Sequence, residues 1–369
     1  MKLGLVLVGG LSRDPSDGSI PAIQWLVERL ARRHEVHAFT LFGARRPDRY
    51  PLLGATVHHA GSRGRAWRTL SAIIGEHRRG SFDVLHAFWL VPGGAIAAAA
   101  ARITGRPLLG HIGGGELAGI PDANFGHQLY WKGRLWARFA IGSCAVVTGA
   151  SDGVVKDLAR RGARAERVPL GVALDHWPAV APRPRTPGRP ARLIQVATLN
   201  RVKDQPTLIR AARRLLDAGV NFTLDIAGPD TLGGEIQALV ERMGLSSRVR
   251  FMGYLPHDRL HALVAQADLM LHTSRYETGP LSVLEAAVVG VPAVGTAVGH
   301  VAEWVPLAAV AVPVGDDDAL ARETLALLGD ESRRMRMAAE AQRRALAQDA
   351  DWTATRFEEL YREVTAARR

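Results

Sequence analysis

Glu277 and Glu285, with seven residues between them, form the most chemically suggestive pair in this sequence. They lie in Ser274-Arg275-Tyr276-Glu277-Thr278-Gly279-Pro280-Leu281-Ser282-Val283-Leu284-Glu285-Ala286-Ala287. Pro280 suits a first helical turn, because its missing N–H would have no helical partner there. Leu281, Leu284 and Val288 repeat at helical spacing, and Gly290 with Pro292 ends the element. Glu277 is therefore expected on the loop before a helix, and Glu285 about one turn inside it. Free N–H groups at a helix start attract phosphate, and a flanking carboxylate accepts sugar hydroxyls. The pair suits a nucleotide-sugar, although helix propensity and the helix dipole also favour glutamate there.

A second loop adds cations. Thr198-Leu199-Asn200-Arg201-Val202-Lys203-Asp204 follows a strand-like run and precedes a helical one. Arg201 and Lys203 at the carboxyl end of a strand can neutralise a diphosphate, with about 1.5–3 kcal/mol for each charge-assisted hydrogen bond. A solvated basic loop is the plain alternative. In the first half, Gly9-Gly10 leaves the first strand-like run, and Asp17-Gly18-Ser19 precedes a helix. Backbone without side chains approaches phosphate or acceptor closely, and a simple turn uses the same residues. His111-Ile112-Gly113-Gly114-Gly115-Glu116 marks another strand end, where His111 is either a site residue or a structural one. No Asp-X-Asp follows a strand, no Cys/His cluster has zinc spacing, and Asp316-Asp317-Asp318 reads as a helix cap. Neither a metal nor another cofactor is expected.

Positioning these residues takes alternating strands and helices. Lys2–Val8 reads as a strand, 20–33 as a helix and 34–40 as a strand. Strands at 83–87, 107–112 and 145–148 follow, with helices after Pro92-Gly93-Gly94 and after Ser151, an N-cap candidate. The pattern restarts with strands at 191–197, 222–227, 268–272 and 291–296, with Val249-Arg250-Phe251 leading to Gly253, and helices at 204–218 and 234–243. Trp352 to Ala367 carries Phe357, Leu360, Tyr361 and Val364 at helical spacing. This order predicts α/β architecture with doubly wound parallel sheets. Residues 178–190 hold five prolines and no apolar period, as an extended linker would. The expected domains are 1–177, the linker 178–190, 191–350, and a final helix at 351–369.

A chain of 369 residues exceeds one ordinary core, which agrees with two domains. No apolar run reaches the ~18 residues of a membrane span. Met1 to Val8 reads as a buried strand rather than a signal peptide. The one cysteine, Cys144, is expected in a buried strand, and its solitude fits a cytoplasmic location. Residues 1–190 hold 26 Lys and Arg against 13 Asp and Glu, and the remainder 21 against 23. The basic first half, with Arg32-Arg33, Arg45-Arg46, Arg63, Arg65, Arg68 and Arg78-Arg79 around Trp67, suits an anionic partner such as the inner face of a membrane. Arginine spread over a solvated surface explains it equally.

The Glu277 segment resembles the signature of the retaining glycosyltransferases of family four. Their pattern is a Glu, a small residue, an aromatic and a Gly or Pro, then Glu-Ala after four more residues. Glu277, Thr278, Gly279, Pro280 and Glu285-Ala286 match, with Gly279 in the aromatic position. The resemblance covers nearly the whole chain. It implies the GT-B fold, two Rossmann-like domains facing a central cleft, with the last helix returning to the first domain. It further implies metal-independent, retaining transfer from a nucleotide-diphosphate-sugar, a UDP- or GDP-sugar, to a saccharide or lipid-linked acceptor, with no nucleic acid involved. By the same resemblance Glu277 contacts sugar hydroxyls, Glu285 the ribose diol, and Arg201 with Lys203 the diphosphate. Ser274 and the Gly253-Tyr254-Leu255 backbone fall near phosphate or base, and Gly18, just before the helix, is favoured over Gly9 or Gly10 as the glycine near acceptor or phosphate. His111 is the candidate for a histidine that the family places beside the transferred sugar, although strict register puts Gly113 there. Phe88 and His300 also depart from the pattern. An inactive GT-B shell that only binds, or a GT-B epimerase, are the alternatives.

Overall fold

Strands buried along their whole length belong inside parallel sheets covered on both faces. Val84–Phe88 (β5), Leu108–Ile112 (β6) and Val146–Gly149 (β7) have this burial, and Lys2–Leu7 (β1) has it from Leu3 onward. The computed structural model describes residues 1–12, 19–43 and 46–367. It divides into two compact units, Met1–Gly171 with Asp349–Arg369, and Val172–Gln348.

The first unit is built on an eight-stranded sheet, completed by Glu35–Thr40 (β2), Asp48–Leu52 (β3), Ala55–His59 (β4) and Ala165–Arg167 (β8). Its order is β3-β4-β2-β1-β5-β6-β7-β8, parallel except for the edge strand β3. The hairpin β3–β4 and the helices Arg65–Arg79 and Trp131–Ser143 have no counterpart in the sequence reading. Leu53 and Gly54 close the hairpin with φ of 51° and 77°. A two-residue turn with both φ positive matches strand twist, but Leu is an unusual residue for it. Two further expectations change. Cys144 caps the end of the helix Trp131–Ser143 instead of lying in a strand, its thiol donating to the Ala140 carbonyl. Burial pushes that thiol up to about 12, which removes nucleophilic character. Ser151 stands at an N-cap position, but its side chain makes no capping bond.

The helix Ala350–Ala366 belongs to the first unit. Phe357, Leu360, Tyr361 and Val364 join a core containing Leu5, Leu7, Ile23, Leu26 and Phe88. The Tyr361 hydroxyl lies 2.7 Å from His86 Nδ1, and Arg29 Nε donates to Asp351 at 3.0 Å. Thr353 accepts from the Gly171 N–H at 3.0 Å and donates to the Pro169 carbonyl at 2.8 Å.

In the second unit the sheet is wholly parallel. Ala191–Val196 (β9), Phe222–Ala227 (β10), Val249–Gly253 (β11), Leu269–His272 (β12), Ala293–Thr296 (β13) and Ala309–Val312 (β14) run in the order β11-β10-β9-β12-β13-β14. The proline-rich stretch 178–190 has no helix or strand, turns at Thr186 to Arg189, and lies on this unit. Val180 N–H donates to the Val288 carbonyl at 3.2 Å, and Arg185 Nη1 to that of Leu328 at 2.9 Å. Buried Arg334 donates to the Arg183 and Asp268 carbonyls.

Replacing Phe357 by Ala would leave a cavity in the first unit's core and should cost about 3–5 kcal/mol, read as a lowered urea midpoint of the full chain.

Candidate functional site

β9 is the branch point of the second sheet, with β10 and β11 on one side and β12 to β14 on the other. Connections diverge there, and an open α/β sheet leaves its ligand crevice at the carboxyl ends of the strands that part. The loops leaving β9 and β12 are the two that carry Arg201 with Lys203 and Glu277.

Side chains tie these loops together. Asn200 Oδ1 accepts from the N–H groups of Val202 and Lys203, both at 3.0 Å, which folds the first loop back on itself. Asp204, at φ 48°, caps the helix Gln205–Asp217 by accepting from the Thr207 N–H. Buried Gln195 on β9 donates to the Thr273 hydroxyl at 2.9 Å, and that hydroxyl donates to the Lys203 carbonyl at 2.8 Å. Arg275 N–H donates to the Val202 carbonyl at 2.7 Å. Gly228, at φ 147°, lets the strand-end turn pass closely, since a Cβ there would lie 2.1 Å from the Ala197 oxygen.

The network sets Lys203 Nζ against Glu277 Oε1, with His272 Nε2 at 3.7 Å from the same oxygen. Burial alone would raise the Glu277 carboxyl. The Lys203 charge, with His272, outweighs it and holds the group down at about 2. At neutral pH this carboxylate is ionised and only accepts hydrogen bonds. Arg201 points elsewhere, its guanidinium 3.1 Å from Glu235 on an exposed surface.

Glu285 is buried in the helix Leu281–Val288, for which Pro280 is the N-cap. Burial pushes its carboxyl up, and a 2.9 Å contact to His257 Nε2 offsets part of the rise. His257 begins the helix His257–Val264, and no spacing rule points to it from sequence. Buried Ser274 accepts at its carbonyl from the Thr296 hydroxyl at 2.5 Å. Thr278 and Pro280 are buried, while Gly279 and Leu281 are half-buried beside them. Gly299, at φ 50°, abuts Pro280, and a Cβ would come within 2.7 Å of its ring. Gly253 ends β11 at φ 61° and its carbonyl accepts from Gly228 N–H. Beyond it Tyr254 is exposed and Leu255 half-buried.

In the first unit the corresponding divergence falls between β1 and β5. A cavity of about 420 Å³ opens there, lined by Gly9, Gly10, Leu11, Ile20, Phe42 and Trp89 among others. Gly10 has φ 95° and faces Ile20 closely. Gly18 lies outside the described residues. Trp89 adopts φ 60° and ψ 94°, a costly conformation for a residue with a side chain. Its indole covers Gly113, where a Cβ would lie 2.7 Å from the ring. No side chain fits at 113 beside this tryptophan. His111 is 1% exposed, with Nδ1 at 2.8 Å from the Thr148 hydroxyl, and burial brings it down to about 3. It faces the core, against Phe88 and Phe357. Buried Glu116 accepts from the N–H groups of Leu90, Gly113 and Gly114. Elsewhere in this unit His37, His58 and Glu76 bring metal-competent atoms within 4.8 Å. Lys2, Arg49 and Arg79 surround that Glu76 at 3.0–3.6 Å, which opposes a further cation.

Two family models match the chain. The glycosyl transferases group 1 model covers residues 180–344, and the glycosyl transferase 4-like domain model covers 17–171. The chain belongs to the group 1 glycosyltransferase family. Glycogen synthases from two Mycobacterium tuberculosis strains are 34% identical to it over 184 residues, which is 49% of this chain and 44% of theirs. The chain thus matches less than half the length of these relatives. A D-inositol 3-phosphate glycosyltransferase of Corynebacterium efficiens is 31% identical over 182 residues, 47% of this chain and 42% of that one. The fold is GT-B. A sucrose-phosphate synthase from Thermosynechococcus elongatus superposes with a TM-score of 0.83 at 19% identity, covering 99% of both chains. Anabaena HepE, solved with UDP-glucose, superposes with a TM-score of 0.75 at 18% identity, covering 98% of this chain and all of that one.

Lys203→Met should leave the Glu277 carboxylate buried without its cation and destabilise the protein by roughly 3 kcal/mol at pH 7. In the wild type the depressed Glu277 contributes stability that is complete above about pH 4.5 and lost as pH falls towards 2. The difference between variant and wild type should therefore shrink below pH 4, measured by denaturant unfolding at each pH.

Proposed function

We propose that the protein is a retaining, metal-independent glycosyltransferase that moves a hexose from a nucleotide-diphosphate-sugar to an acceptor hydroxyl. The Lys203–Glu277 pair at the divergence of β9 and β12 carries this reading. An anion fixed at that position suits sugar hydroxyls, and the cations of the neighbouring loop suit a diphosphate. In the reaction the bond from the anomeric carbon to the diphosphate oxygen breaks. The acceptor oxygen bonds to that carbon, and the acceptor proton passes to the departing phosphate. Attack and departure on one face preserve the configuration, as the family resemblance implies. Lys203 and Arg201, the latter swinging from Glu235, stabilise the charge that develops on the departing diphosphate. Glu285, oriented by His257, takes the ribose diol, with Gly253, Tyr254 and Leu255 near the base. Ser274 and the backbone of Thr278, Gly279, Pro280 and Leu281 border the phosphates.

The acceptor occupies the first unit's cavity against Gly10 and Trp89, where an indole face and an apolar wall suit a saccharide ring or a lipid-linked sugar. Trp89 fills the place of a side chain at 113, so the contact that the family assigns to a histidine passes to the indole instead of to buried His111. The HepE complex with UDP-glucose makes that donor the first to try. Synthesis of a polysaccharide or glycoconjugate at the cytoplasmic face of a membrane suits the basic first half.

Release of UDP or GDP from a panel of UDP- and GDP-sugars, with EDTA and with Mg²⁺, tests the reading. Arg201→Ala and Lys203→Ala should each lower kcat/KM by about 10²–10³. Glu277→Gln should lower kcat, and EDTA should change nothing. Full turnover by the Arg201→Ala/Lys203→Ala double variant would sink the assignment.

A further inference from the structure

The helix Trp131–Ser143 has two apolar faces. Gly133, Ala137, Ala140 and Ile141 are buried against the first unit. The opposite face carries Trp131 and Leu135 four residues apart, so they stack one above the other, while Phe139 one turn further on is half-buried against the core. Trp131 is 64% exposed, Leu135 59%, and the adjoining Trp136 50%. Lys132 flanks the line on one side, and Arg134 with Arg138 on the other. A stripe of Trp and Leu edged by Lys and Arg is the composition of a helix lying in a membrane interface.

Beside it opens a cavity of about 610 Å³ whose walls include Arg134, Arg138, Arg161 and Arg164. Among the described residues only Arg164 of these four has a carboxylate partner, Glu363 at 3.0 Å. Three uncompensated guanidinium groups at the edge of an aromatic stripe match a phosphate-bearing headgroup whose chains lie under the indoles. The helix Arg65–Arg79 offers less. Its Trp67 is exposed, but Leu70, the next apolar residue in line, is half-buried against the core, and Arg79 is engaged by Glu76.

We propose that the outward face of the helix Trp131–Ser143 and the adjoining arginine cavity form a docking surface for a bilayer carrying anionic phospholipid. Trp131, Leu135 and Trp136 enter the interface, while Arg138 and Arg161 hold a lipid phosphate. This deepens the membrane reading above by naming the surface. Vesicle binding needs no donor, so its failure and the failure of the transferase reading are separately visible.

The test is flotation of the full chain with vesicles of phosphatidylcholine alone or of equal parts phosphatidylcholine and phosphatidylglycerol. The wild type should float only with the anionic vesicles, and brominated anionic lipid should quench its tryptophan fluorescence. Trp131→Ser/Leu135→Ser should abolish flotation, with an unchanged circular dichroism spectrum. Arg138→Ala/Arg161→Ala should weaken partitioning about 25-fold, taking roughly fivefold for each basic residue at the surface. Trp131→Phe/Trp136→Phe should still float but lose most of the quenching. Arg65→Ala/Arg68→Ala should behave as wild type. A wild type that stays in the aqueous phase, as a protein-binding face would, overturns the proposal. So does equal flotation with both vesicles, or loss of binding in the Arg65/Arg68 variant with retention in the Trp131/Leu135 one.

Discussion

An ionised carboxylate held largely out of water must have a cation beside it, and in this chain that constraint joins two loops distant in sequence. Glu277 leaves β12 and Lys203 leaves β9, so their pairing requires both strands to be adjacent and their carboxyl ends level. The hydrogen bonds from Gln195 through Thr273 to the Lys203 carbonyl set that level from behind. Charge and register are thus coupled. A slip of either strand would separate the pair and leave a buried anion, whose cost exceeds that of most single contacts.

The first unit meets a different constraint at its own divergence of strands. Trp89 is held at positive φ, and its indole lies against the backbone of Gly113 and Gly114. Those glycines in turn donate their N–H groups to buried Glu116. Tryptophan, glycine run and glutamate therefore form one unit of structure, in which each residue type is required by the next. His111 lies outside it, in the core beneath.

Much of the scaffold is legible in the sequence because central parallel strands are buried on both faces and read as unbroken apolar runs. Leu3 to Leu7 of β1 and Leu269 to Leu271 of β12 are of this kind. Glu277 and Glu285 were legible from a proline and an apolar repeat that together locate a helix start. What escapes has identifiable causes. The hairpin β3–β4 turns on Leu53, a residue that does not advertise a left-handed conformation, and carries Pro51 in its edge strand. The helix Trp131–Ser143 is apolar on two faces, which blurs the periodicity that normally reveals a helix. The partnership of His257 with Glu285, like that of Trp89 with Gly113, depends on tertiary proximity, for which one sequence holds no signal.

The first unit is discontinuous in the chain. Its sheet is made by residues before 171, yet Phe357, Leu360 and Tyr361 supply part of its core. Domains usually form in the order in which they emerge during synthesis. Here that order is inverted for the final step: residues 172–348 have all emerged before the helix 350–366 can seal the sheet made first. Until then the faces of Leu5, Ile23 and Phe88 that this helix covers stay open, and the interval is when the nascent chain is most exposed to misassociation.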